Sequence, residues 1–233
     1  KLLQRVGLVI ATSKNLAQTR TNGTRKTELL THGVDLEHFR SVHTARPIEV
    51  MDHIADPAVG YYGLIDERCD FDLLKKLAHD MEDVSFVIIG PWRVDSSILR
   101  DLPNVHCLGE VAYDRLPSYL RTFSALILPY RINELARSIN PLKLKEYLAT
   151  GLPVVATPLQ EVVTLRKFIA VAENAFEFKD ALRKALTTKR RGAKAIARYL
   201  ASETWEAKAE MFSRMVEKAF GAGIEREGAR HGF

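Results

Sequence analysis

The sequence predicts a doubly wound α/β domain, with a parallel sheet and a helical tail. Three observations carry that prediction. Between residues 59 and 171, short apolar runs alternate with helical stretches, the pattern of successive βα units. The runs are apolar nearly throughout, which suits strands covered on both faces. Beyond residue 174 the strand signal stops and helical periodicity takes over.

The elements follow in order. Residues 6–12 read as a buried strand, with Ser13 as a helix cap for the polar stretch behind it. Residues 29–31 are a second apolar run, leading into His32-Gly33-Val34-Asp35 and Phe39. Residues 41–57 carry mixed charges and two prolines and read as a linker. Regular alternation then begins with a strand at 59–63. A helix at 71–81 gathers Leu73, Leu74, Leu77 and Ala78 on one face. Strands are predicted at 84–90, 105–108, 125–128, 153–156 and 168–171, and helices at 96–102, 116–123, 142–149 and 161–166. Parallel strands joined this way require right-handed crossovers. From 174 to about 221 the chain is helical, with breaks near Gly192 and Ser202.

Composition narrows the function classes. With 46% hydrophobic and 27% charged residues, the chain can bury enough apolar surface to offset its entropy, which argues against disorder. No apolar run approaches the roughly 20 residues of a membrane-spanning helix. Only Cys69 and Cys107 occur, which argues against a disulfide framework or a cysteine-built zinc site and fits a reducing compartment. The chain starts at Lys1 without a signal-peptide pattern and reads as a piece of something longer. Basic and acidic residues number 7 and 3 over positions 1–40, 14 and 19 over 41–178, and 13 and 7 over 179–233. The positive charge therefore sits at the two ends. Nucleic-acid binding would need it across a face of the body, with aromatics between. Solvated helix faces, or a basic edge resting on an anionic membrane surface, are the two readings of those ends.

In such folds ligands bind outside the carboxyl ends of the strands. Gly63, Gly90 and Gly109 each follow a strand, where the backbone turns sharply or approaches a ligand. Tyr130 to Pro141 is the most informative strand-end segment. Asn140 reads as an N-cap and Pro141 as the first helical residue, so the helix through Leu142 starts abruptly and offers free N–H groups to a phosphate. Lys143 could add a point charge toward a diphosphate. Glu146, one turn on, could accept from the vicinal hydroxyls of a ribose; an ordinary Lys143–Glu146 helix pair is the alternative. Leu144, Leu148 and Gly151 are expected to face the core, with Tyr147 at its margin. Arg131 and Arg137 either line an anion pocket or keep a loop soluble. Trp92 either stacks on a base or packs half-buried. No zinc-type spacing, nucleophile elbow, Walker loop or GxGxxG fingerprint is present.

Several segments then match one setting. They are Thr31-His-Gly-Val-Asp35 with Phe39, Gly60-Tyr-Tyr-Gly63, Val87-Ile-Ile-Gly-Pro91, Asn104-Val-His-Cys-Leu-Gly109 and Leu116-Pro-Ser-Tyr-Leu120. The most specific is Pro141-Leu-Lys-Leu-Lys-Glu-Tyr-Leu-Ala-Thr-Gly-Leu-Pro-Val-Val155. Together they resemble the carboxy-terminal half of GT-B glycosyltransferases of the GT4 (glycosyl transferases group 1) type, above all bacterial enzymes that build surface polysaccharides.

That resemblance implies two Rossmann-like domains with the active cleft between them. Residues 1–40 would be the end of the acceptor-side domain and the interdomain linker, 41–204 the nucleotide-sugar-binding domain, 205–220 a crossover helix and 221–233 a frayed tail. The implied activity is transfer of a sugar, of hexosyl type, from a nucleoside diphosphate sugar to a glycan or lipid-linked acceptor. The setting would be cytoplasmic, with a peripheral contact at the inner membrane surface. Neither metal nor further cofactor is implied, and no nucleic acid. The catalytic residues are unknown because the acceptor side is missing, so this half alone is expected to be inactive. Glu146 corresponds to the second glutamate of the family's paired motif and would hold the ribose. The first falls on Ser138, a departure that alters the usual contact to the donor sugar. Arg68 stands in for a cation otherwise expected nearer Gly63, and Gly109, Glu110 and Val111 would face the nucleobase. An epimerase of the same fold and a non-catalytic nucleotide- or partner-binding module are the rival readings.

Overall fold

Five consecutive buried residues form β3 (Ala58–Tyr62), which lies in the middle of a six-stranded parallel sheet. The computed structural model describes residues 6–19, 27–134, 139–187 and 193–228, the last seven as backbone alone. Beside β3 on one side lies β4 (Ser85–Ile89) and then β5 (Val105–Gly109); on the other lie β6 (Ala125–Leu128), β7 (Val154–Ala156) and β8 (Ala170–Val171). The order is β5-β4-β3-β6-β7-β8, with Val59 opposite Phe86 on one flank and Ala125 on the other. Strand order therefore reverses between β3 and β6, which opens a crevice at their carboxyl ends. The doubly wound reading holds.

Helices cover both faces, as continuous apolar strands require. α3 (Phe71–Asp80) starts at Asp70, whose carboxylate accepts from the Leu73 N–H at 3.0 Å, and it buries Phe71, Leu73, Leu74, Leu77 and Ala78. The predicted helix at 96–102 is a short 3-10 turn over Ser96–Leu99, and that at 116–123 reduces to α4 (Leu116–Leu120). α6 (Gln160–Val163) is also shorter than expected, and β8 keeps two residues. Residues 41–57 are not a bare linker. Two 3-10 turns, Ser41–His43 and Glu49–Met51, bury Val42 and Met51 against the body. Isolated apolar residues at that spacing carry no periodic signal, so composition alone misreads them.

The amino-terminal segment forms its own pair of parallel strands, β1 (Val9–Ala11) and β2 (Thr27–Leu29), with α1 (Lys14–Thr19) after the first. α2 (Leu36–Arg40) then seats Phe39 in the main core. At the other end stand α7 (Ala175–Thr187), α8 (Ala193–Ala201) and α9 (Trp205–Gly228). The last helix runs on past Phe220, where a frayed tail was expected. Among the described residues, no helix is long and apolar enough to cross a membrane.

α5 (Leu142–Thr150) departs most from its sequence reading. Every residue from Leu144 to Thr150 is buried. Tyr147, expected at the margin, is fully enclosed, and so is Lys145. The Lys145 ammonium donates to Thr31 Oγ1 at 2.9 Å and to the His32 carbonyl at 2.5 Å, and pairs with Glu203. Glu203 also pairs with buried Lys208 at 3.0 Å, just ahead of α9. The Glu203 backbone is held as well: its carbonyl accepts from the Val34 N–H at 2.8 Å, and its N–H donates to the Leu200 carbonyl at 2.9 Å. Burial pushes the Glu203 carboxyl up, but the hydrogen bonds from Lys145 and Lys208 outweigh it and hold it below its ordinary value. Its contribution is complete above the usual glutamate range and is lost as acid titrates the depressed carboxyl. Glu203→Ala should remove about 3–5 kcal/mol, the cost of leaving a buried charge without its partner, measured by denaturant unfolding at neutral pH.

Candidate functional site

The crevice between β3 and β6 is closed from behind by backbone. The Asp70 N–H donates to the Pro129 carbonyl at 2.7 Å, and the Arg131 N–H to the Arg68 carbonyl at 2.8 Å. The loops after β3 and β6 are thus fixed to one another. The loop after β4 joins them through Ile65, whose N–H and carbonyl bond Pro91 and Arg93 at 3.0 and 2.8 Å.

The three strand-end glycines play different parts. Gly63 has φ +124°, and a Cβ there would lie 1.9 Å from Lys143 Cε. Gly90 has φ +138°, and its Cβ would strike the Gly63 carbonyl oxygen at 2.0 Å. Only a glycine fits at either place. Gly90 therefore lets neighbouring strand ends approach, and Gly63 leaves a channel for a lysine. Gly109, at φ +72°, faces open space. Beyond it Glu110 is exposed and Val111 half-buried against the core.

α5 supplies the charges. It begins one residue later than expected: Pro141 is the N-cap, with extended ψ of 108°, and Leu142 is the first helical residue. Asn140 does not cap it. Its amide donates instead to the Thr12 carbonyl at 3.0 Å, a partner 128 residues away that no local pattern shows. The Leu144 N–H bonds the Pro141 carbonyl at 3.0 Å, which tightens the first turn. Lys143 and Glu146 do not pair with each other. The Lys143 ammonium donates to Tyr130 Oη at 3.0 Å and lies 5.4 and 5.7 Å from the ring centres of Tyr61 and Tyr130. Glu146, 8% exposed, accepts from Tyr62 Oη at 2.8 Å. Burial raises its pKa, against the opposing effects of the Tyr62 hydrogen bond and the Lys143 charge.

Arg68 lies on the same side of the crevice, 5.9 Å from the Tyr130 ring centre, but it is tied to Asp66 by bonds of 2.8 and 2.9 Å from Nε and a contact of 2.7 Å from its terminal nitrogen. Burial pushes Asp66 up, yet the Arg68 hydrogen bonds hold its carboxyl below the usual range. Arg131 contacts exposed Asp72 at 3.6 Å. Trp92 packs half-buried on Phe71, with ring centres 6.2 Å apart. Ser138 and Arg137 lie outside the described residues. Among the described residues no group of three His, Cys, Asp or Glu is placed to hold a metal ion.

The structure therefore brings Gly63, Arg68, Lys143 and Glu146 to one crevice, with Gly109, Glu110 and Val111 at the end of β5 beside it. Sequence reasoning missed Tyr62 and Tyr130, the hydroxyls that hold Glu146 and Lys143. The available signal was a tyrosine closing an apolar strand, where an aliphatic residue would serve packing as well.

Comparison with known proteins gives this arrangement its relatives. Residues 59–188 match the family described as Glycosyl transferases group 1. A protein named as a teichuronic acid biosynthesis glycosyltransferase, TuaH of Bacillus subtilis (strain 168), is 27% identical over 175 residues, covering 72% of this chain and 44% of TuaH. Sucrose-phosphate synthase from Thermosynechococcus elongatus superposes with a TM-score of 0.74 at 18% identity, over 95% of this chain and 60% of that one. Anabaena HepE in complex with UDP-glucose gives 0.74 at 16% identity, over 93% and 65%. The chain thus spans less than two thirds of each of these relatives, and the fold they share with it is that of a GT-B half. The family match covers more than half of the sequence, from Val59 in β3 through β8, and the chain belongs to the glycosyl transferases group 1 family.

Proposed function

We propose that the crevice between β3 and β6 binds a nucleoside diphosphate sugar and that this chain is the donor-binding half of a glycosyltransferase. The observation that carries the reading is the placement of Lys143 and Glu146 on one helix start at the switch point, each fixed by a separate tyrosine hydroxyl. Glu146 accepts the ribose hydroxyls. Lys143, the Asp66-paired Arg68 and the N–H groups at the start of α5 stabilise the diphosphate as it leaves, with no metal required in the scheme. Gly109, Glu110 and Val111 line the nucleobase side. HepE, of the same fold, holds UDP-glucose, which supports a donor of this class.

The acceptor is a glycan or a lipid-linked glycan in polysaccharide biosynthesis, in keeping with the name of the Bacillus relative. Residues 1–40 belong to the acceptor-side unit, 41–204 to the donor domain, and the helix from 205 crosses back to the acceptor side. The basic ends give the protein a peripheral hold on the inner face of a membrane, worth about 1 kcal/mol for each Lys or Arg near the surface. Donor hydrolysis by the full-length protein separates this reading from a non-catalytic nucleotide-binding module.

Glu146→Ala should weaken nucleoside diphosphate binding about 10- to 100-fold, because a charged hydrogen bond contributes about 1.5–3 kcal/mol. Titration calorimetry checks this, and equal affinity in variant and parent would remove the ribose role. Gly63→Ala should be at least as severe. The new methyl takes the space of the Lys143 stem and strains the backbone by roughly 1–3 kcal/mol. Its expected signature is lost nucleotide affinity together with a lowered melting temperature.

A further inference from the structure

Tyr62 closes β3 one residue before Gly63 and is 6% exposed. Its ring has no freedom. It stacks on Phe39 with centres 6.2 Å apart and planes at 12°, and meets the Tyr147 ring edge-on at 5.1 Å. Its backbone is held too, since the Tyr62 N–H donates to Tyr147 Oη at 3.4 Å. From this fixed ring the hydroxyl donates to Glu146 Oε2 at 2.8 Å. A glutamate side chain has three rotatable bonds, and this contact immobilises its far end. Among the described residues, Oε1 receives no such bond.

We infer that Tyr62 is a positioning residue for the donor substrate: its hydroxyl pins Glu146 Oε2, leaving Oε1 oriented to accept from the ribose diol. The inference rests on the reading that Glu146 holds the ribose. Tyr62 touches no substrate in this scheme; it acts through the carboxylate. The same bond controls charge. Glu146 is surrounded by Tyr62 from β3, by Lys143 and Tyr147 from its own helix, and by Tyr113 from the turn after β5, against which His38 of α2 stacks at 4.1 Å. Burial favours the protonated acid, while the Tyr62 donor and the Lys143 charge favour the carboxylate. Without the hydroxyl the carboxyl titrates at higher pH, and the acceptor needed by the ribose is lost earlier on acidification.

The test compares UDP with its 2′,3′-dideoxy analogue by calorimetry on the full-length protein, over a series of pH values from acid to neutral. Parent protein should prefer UDP. Tyr62→Phe keeps the ring and removes one oxygen. It should bind UDP roughly 5- to 10-fold more weakly, consistent with loss of one hydrogen bond to a charged group. It should bind the dideoxy compound as the parent does, and the acid limb of UDP binding should move to higher pH. Parental UDP affinity with an unmoved acid limb would overturn the proposal. So would equal weakening toward both nucleotides, which is what a merely structural role produces. If Tyr62→Phe is too unstable to titrate, the double variant Tyr62→Phe/Glu146→Gln is compared with Glu146→Gln alone. Tyr62 acting through Glu146 predicts no further loss of UDP preference, and a further loss refutes it. Glu146→Gln with parental UDP preference sinks the ribose reading itself, a result distinct from either failure of Tyr62.

Discussion

Everything in this structure turns on a helix that buries its own charges. α5 is enclosed over seven consecutive residues, two of which are Lys145 and Glu146. An ion taken out of water costs several kcal/mol unless polar partners replace the solvent. Each charge therefore dictates where another part of the chain must sit. Glu146 fixes the end of β3 through Tyr62. Lys143, half-buried at the helix start, fixes the end of β6 through Tyr130. Lys145 fixes the strand-exit residues Thr31 and His32 and the turn before α9 through Glu203. The apolar sheet gives the domain its bulk stability, but these pairings decide which loops meet at the crevice.

Backbone geometry serves the same arrangement. Lys143 can reach its tyrosine only because Gly63 has no side chain, and Gly63 can sit so close to β4 only because Gly90 has none. Two absent methyl groups thus stand in series, one making room for the next. The loops after β3, β4 and β6 then lock by main-chain bonds, so the charged groups project from a rigid floor rather than from independent loops. A rigid floor lowers the cost of ordering the site when a ligand arrives.

The legible and illegible parts of the sequence divide along sequence separation. The strand and helix alternation was readable because each element carries its own period, and the switch-point crevice followed from it. Gly63 and Glu146 were readable as candidates because strand-end turns and helix starts have local chemistry. Lys145 was not, since a lysine on a helix looks solvated until its partner, 58 positions later at Glu203, is known. The cap of α5 slipped by one residue for the same reason: Asn140 is an excellent local cap, and only Thr12 explains why it turns away. Arg68 lies 5.9 Å from the Tyr130 ring centre, yet its bond to Asp66, two residues back, shows that position alone does not make a free cation.

The helix also joins two regions that the chain keeps far apart. Residues two apart on a helix point to different sides, so Lys143 faces the crevice while Lys145 faces the junction with α9. Glu146, one position further, returns toward the crevice. A shift or rotation of α5 large enough to move Glu146 from Tyr62 would also draw Lys145 from Glu203, and the buried charges on both sides oppose it. The crevice and the seat of the carboxy-terminal helix are therefore held in a fixed relation by one rigid element. That relation needs no chain of intermediates, because a single turn of α5 spans it.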